Sequence, residues 1–187
     1  MVSTRIVALA LVAGLIGACS TAPATQEGRD ELVRRAAAAL DEWNSDAPGL
    51  QTFARQSYAY AMFPAVAKGG VGIGAAHGRG VVWENGEHIG YADVSHASVG
   101  FQVGGQAYQV LVVFDDKAGL DRFKQGQLDF SADASGVIVE GGYATTVRFS
   151  RGVTIFARPL GGAMGEASLG ARWFTFEPSK PTAAAAR

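Results

Sequence analysis

The residues of a type able to do chemistry are one thiol, three histidines, a glycine run, neighbouring carboxylates and scattered cations. The thiol, Cys19, follows the small and apolar Ile16-Gly17-Ala18. A thiol is the one side chain here that readily forms a thioether to diacylglycerol, and cleavage before Cys19 would free an amine for a further acyl chain. A single cysteine excludes a disulfide framework and any zinc site of several thiolates. His77, His88 and His96 flank Asn85-Gly86. With that pair as a two-residue hairpin loop, Trp83 faces His88, and His77 and His96 are diagonal neighbours on the same face. His88 and His96 are then roughly 27 Å apart along a strand, so one metal site cannot hold all three. A His77–His96 pair stays open beside the default of solvent-facing or packing histidines. Gly70-x-Gly72-x-x-Ala75 loosely fits a dinucleotide fingerprint, which needs a strand before it and a helix opening on it. Here a helix pattern precedes and a strand pattern follows, so a glycine-rich strand is expected instead. No Gly-x-Ser-x-Gly elbow and no Gly-Lys-Ser/Thr triplet occurs, and Asp115-Asp116 is better read as a helix start. The expectation is a protein that is not an enzyme, with no cofactor and no metal.

The start of the chain reads as an address. Met1–Arg5 carries one charged side chain, Arg5, and residues 6–18 are uninterrupted small and apolar residues. That stretch is shorter than the ~20 residues a spanning helix needs. A basic start, a short apolar core and small residues at its end mark residues 1–18 as a signal peptide. Ile16-Gly17-Ala18-Cys19 resembles the bacterial lipobox, which makes Cys19 the expected lipidation site, carrying palmitate-type chains. Ser20 follows, with no Asp there to suggest inner-membrane retention. The expected location is the periplasmic face of the outer membrane. The competing reading is an ordinary cleaved signal with Cys19 incidental.

Composition bounds the remainder. A chain of 187 residues suits one domain, and 48% apolar with 18% charged residues excludes a disordered chain. With 16 Lys+Arg against 17 Asp+Glu there is no general attraction to phosphate, so no nucleic-acid partner is expected. Of 25 glycines, 21 lie between Gly69 and Gly170 without a three-residue period, which points to a sheet rich in turns, bulges and close backbone contacts rather than collagen.

These elements must position the candidates. Residues 19–28 read as a lipidated, flexible tether. Leu32, Ala36, Leu40 and Trp43 share one face of a helix over 29–43. A second helix is expected from Leu50 to about Met62, ended by Phe63-Pro64. Strands follow at 71–76, either side of the Asn85-Gly86 hairpin, and at 97–103, 107–114, 143–149, 153–158 and 171–176. Ser150-Arg151-Gly152 reads as a turn. Asp116 is placed to cap a short helix closed by Gly126. Residues 128–140 are ambiguous, and 179–187 read as a disordered tail. The expected fold class is α+β: a curved antiparallel glycine-rich sheet, open or barrel-like, covered by N-terminal helices, in one domain over 29–178.

Charge is unevenly distributed. Residues 47–83, 84–140 and 143–176 carry net charges of +3, −6 and +3. If the first and third segments share a surface, Lys68, Arg148, Arg151 and Arg158 form a basic face for anionic headgroups. Scattered solvated arginines are the competing reading.

Phe63-Pro64-Ala65-Val66-Ala67-Lys68-Gly69-Gly70 resembles the "FP-x-V-x-KGG" opening of the SYLF domain family, and Gly78-Arg79-Gly80-Val81-Val82 continues it. Ser98-Val99-Gly100-Phe101-Gln102-Val103-Gly104-Gly105 is similar to the family's "S-x-G-x-Q-x-G-G". Ser150-Arg151-Gly152 with Leu160-Gly161-Gly162 resembles its "SKG…GG" close, with Arg151 where Lys is frequent. The resemblance implies a lipid-binding domain. Eukaryotic relatives bind phosphoinositides, and yeast members also bind actin and carry a Src-homology 3 module that this chain lacks. Behind a signal peptide no actin partner is expected, and anionic lipid in general is the ligand class carried over. Of the motif positions Lys68, Gly69, Gly70 and Gln102, a structural role is favoured for all but Lys68. The functional expectation is an outer-membrane lipoprotein whose periplasmic domain binds anionic lipid. The alternative is a structural or interaction lipoprotein contacting envelope proteins.

Overall fold

The computed structural model describes residues 21–128, 139–140, 143–144, 147–149 and 152–179, with backbone alone at 46, 98, 100–102, 139–140, 143–144, 147–149 and 162–172. The expected signal peptide, Cys19, Arg151 and the tail from residue 180 lie outside the described residues.

Helix α1 spans Gln26–Asp46. It starts earlier than Arg29 because the Thr25 side chain accepts the Gly28 N–H at 3.1 Å, which supplies the cap. Its expected face, Leu32, Ala36, Leu40 and Trp43, is buried, and Ala39 is buried with it. The segment read as a flexible tether is docked from Thr21 onward, since Thr21 and Ala22 are buried. Helix α2 spans only Leu50–Gln56. The chain from Ala59 joins the sheet instead of continuing helical to Met62. Ala59–Phe63 is buried at every position and pairs with Val110–Phe114, so tertiary pairing overrides the apolar pattern that suggested a helix. Pro64 sits in a register shift between Phe63 and Val66, where its missing N–H costs the ladder least.

The strands fuse into three long ones: β1 (Ala59–Glu84), β2 (Glu87–Phe114) and, after helix α3 (Lys117–Lys124) and the short strands β3 (Val139–Glu140), β4 (Tyr143–Ala144) and β5 (Val147–Phe149), β6 (Val153–Pro178). One antiparallel sheet runs in the order β1-β2-β6-β5, and β3 and β4 form a separate ribbon. The sheet does not close into a barrel, because β1 and β5 remain edges.

It is, however, folded back on itself. Phe63 is level with Val110 and Ala157, and Phe174 is seventeen residues farther along β6, roughly 55 Å in a straight strand. Yet the Phe63 and Phe174 rings are 5.7 Å apart. Each long strand therefore bends near its middle, at positions with positive φ: Gly72 (71°), Gly104 (123°) and Gly161 (153°). Only glycine adopts these conformations cheaply, so the chain bends without breaking its strands. The inner faces enclose one core, with Phe63, Val82, Val94, Val112, Phe114 and Phe174 among its members. Phe123 of α3 packs on Phe114 and Phe174, at 5.0 and 5.2 Å between centroids. A second core lies under α1, where Leu40 and Trp43 meet Met62, Val81, Tyr91 and Leu111. Each large side chain fully buried there contributes about 1.5–3 kcal/mol.

The local expectations at two turns hold. Asp116 caps α3 by accepting the Gly119 N–H at 2.7 Å. Asn85 and Gly86 have φ of 51° and 82°, and Trp83 faces His88, as a type I′ loop requires. Replacing Gly86 with Val puts a β-branched residue at that φ. The denaturation midpoint of Gly86→Val should fall by an amount equivalent to roughly 1–3 kcal/mol; an unchanged midpoint would show that the loop tolerates another conformation.

Candidate functional site

Past the bend, side chains of β1, β2 and β6 alternate between the inner core and an outer face. Paired residues share a face. Rows of the outer face run Arg79–Asp93–Thr175, then His77–Ser95–Trp173, then Ala75 beside Ala97, then Ile73 beside Val99. The first row is where cover ends. Above it, Val81 and Tyr91 lie in the core beneath α1 and Ala22. Below it the face is bare: Ile73 is 70% exposed, Val99 68% and Trp173 51%. Thr21 meets the boundary through its hydroxyl, 3.2 Å from that of Thr175, and the Ala22 N–H donates to Glu177 Oε2 at 3.1 Å.

Beside this face, the start of α1 and the bent β1 leave a groove of about 470 Å³. Leu32, Pro64, Ala65 and Ala67 supply apolar walls, and Arg35, His77 and Arg79 supply polar ones, with Glu31 as the carboxylate. Arg35 is exposed and has no ion pair among the described residues. Glu31 is engaged by Arg34 at 2.7 Å. Arg79 Nε lies 3.7 Å from Asp93 Oδ1. Burial pushes the Asp93 carboxyl above its ordinary value, opposed by the charges of His77 and Arg79. A guanidinium offers a fork of donors to a phosphate or carboxylate, so the groove is shaped for an anion attached to an apolar body.

Of the residues singled out by charge distribution, Lys68 and Arg158 are not brought together. Lys68 is aligned with Gln106 and Arg158 with Gln109, and alternation puts those positions on opposite faces of β2. Arg158 is engaged by Glu42 at 3.2 Å and by Gln109 at 3.1 Å, on the α1 side. Arg148 lies in β5, where the backbone alone is described, and Arg151 is outside the described residues. Grouping by sequence segment overlooked Arg35, which comes from the helix, and gave Arg79 no partner. The available signal was the acid-free run around Arg79 together with a cation on the rim of the helix's apolar face.

The histidines also separate. A register shift at Val82/Trp83 pairs His77 with Ser95 and His96 with Ala76. One residue of slip moves a side chain to the opposite face, so His77 and His96 are not neighbours on one face. Among the described residues no group of three or more His, Cys, Asp or Glu could hold a metal ion. Nor, among them, is any helix long and apolar enough to cross a membrane.

Residues 95–178 match the family model described as Ysc84: Las17-binding protein actin regulator. This is the SYLF family that the glycine motifs resemble. The match begins about a third of the way along β2, so α1 and the whole of β1, which pairs with β2, lie before it. No curated protein matches the chain.

Proposed function

We propose, from a chain whose residues 95–178 are a Ysc84 (SYLF) domain, that the protein is an outer-membrane lipoprotein, anchored through Cys19, whose periplasmic domain binds anionic lipid without catalysing a reaction. The observation that carries this reading is the convergence of Arg35, His77 and Arg79 on a groove with apolar walls. Such a groove fits a headgroup anion with the start of its apolar chains, while the whole-chain net charge of −1 argues against long polyanions. The actin regulation in the family's description is not carried over, because a periplasmic domain meets no actin.

The test is Arg35→Glu in the unacylated chain. Arg35 is exposed, so the substitution leaves packing intact while replacing an attraction by a repulsion. Binding to phosphatidylglycerol vesicles at low salt should weaken by roughly tenfold, with little change on neutral phosphatidylcholine. Equal binding by variant and wild type would remove the groove as the lipid site. A wild-type domain that floats with neither vesicle would favour contact with envelope proteins instead.

A further inference from the structure

We infer that Thr21 and Ala22 act as a clamp that lays the bare outer sheet face, Ile73, Val99 and Trp173, against the bilayer to which Cys19 is anchored. This rests on the lipoprotein reading and adds to it an orientation and a contact surface that adjoins the groove at His77.

The clamp is built from two polar contacts. The Ala22 N–H donates to Glu177, and the Thr21 hydroxyl meets that of Thr175. Both residues are buried, at 3% and 6% exposure, although they lie within the segment read as tether. Cys19 is two residues before Thr21, so its Cα lies within about 7 Å of the Thr21 Cα. The anchor therefore leaves the domain beside β6 rather than on a long leash. The described residues before α1 also run along β6. Traced backwards, the chain steps from the level of Glu177 to the level of Thr175, and the next outer position on β6 is Trp173, about 7 Å farther on.

What lies in that direction is apolar. Trp173, Ala97, Ala75, Val99 and Ile73 occupy successive outer positions, and no carboxylate stands among these described outer positions below Asp93. Exposed apolar faces of this kind mark a partner or membrane surface. A bilayer is the occupant favoured here because the acyl chains of Cys19 hold it within a few residues' length of the face. Tryptophan suits such a boundary, with an apolar ring and a polar N–H.

The experiment uses the acylated full-length protein in vesicles containing brominated phospholipid, which quenches tryptophan near the acyl chains. Trp43 is buried and Trp83 stacks on Tyr60, so Trp173 is the tryptophan on the bare face. Emission should be lost in brominated vesicles, and Trp173→Phe should abolish most of that loss. The Thr21→Val/Ala22→Pro variant, which removes the hydroxyl and the N–H, should remain acylated but be quenched less. Quenching in the wild type that survives in Trp173→Phe would overturn the contact surface. Undiminished quenching in the acylated clamp variant would overturn the clamp. Palmitate labelling is read on the same samples. Its presence with no Trp173 quenching overturns this inference while leaving the lipoprotein reading intact, and its absence overturns both.

Discussion

Cys19→Ala should move the protein from the membrane fraction to the soluble periplasmic fraction and abolish incorporation of labelled palmitate. Cys19 is the single thiol in the chain, so no other side chain can take over the thioether. Each acyl CH₂ buried contributes about 0.8 kcal/mol, so loss of several chains removes far more binding free energy than a groove and a sheet face can replace. The effect is expected to be nearly complete. A variant that still incorporates palmitate would refute the lipoprotein assignment; one that loses the label yet stays membrane-bound would show that the domain's own surfaces suffice.

Gly80→Val should strongly destabilise the sheet. A Cβ at residue 80 would lie 2.6 Å from Phe63 Cδ1 and 2.8 Å from the Met62 carbonyl oxygen. Phe63 is fully buried, seventeen residues earlier in the same strand, and the Met62 oxygen is backbone, so neither can yield cheaply. The loss should reach about 3 kcal/mol or more, above the usual cost of overpacking because the clash is with backbone as well as a ring. Gly105→Ala is the matched control, since its Cβ would meet only the Lys68 carbonyl, at 3.6 Å. Urea unfolding reads both. Equal midpoints for the two variants would mean that the sheet does not fold back through the contact of Gly80 with Phe63.

The features legible in the sequence are those set within a few residues. Asn85-Gly86 determines a tight loop because the loop's φ values are positive, and Asp116 caps α3 because its carboxylate reaches an N–H three residues on. The apolar face of α1 follows from helical spacing alone. The family motifs and the lone cysteine after an apolar segment are likewise local patterns. What lay beyond the sequence depends on where distant segments meet. The stretch from Ala59 to Phe63 becomes a strand because Val110–Phe114 is there to pair with it. Strands expected as short pieces run on through glycines that bend them, since whether a glycine ends a strand or kinks it depends on what the far half can pack against. The bulge at Val82/Trp83 moves His96 to the face opposite His77, and alternation separates Lys68 from Arg158. A strand has a period of two, so one extra residue reverses every face assignment beyond it. Arg35 and Arg79 reach one groove only because the folded sheet carries the far half of β1 back beneath α1. Local backbone preference decides turns, caps and helix faces; the folding of one long sheet onto itself, driven by burial of Phe63 against Phe174, decides which side chains share a surface.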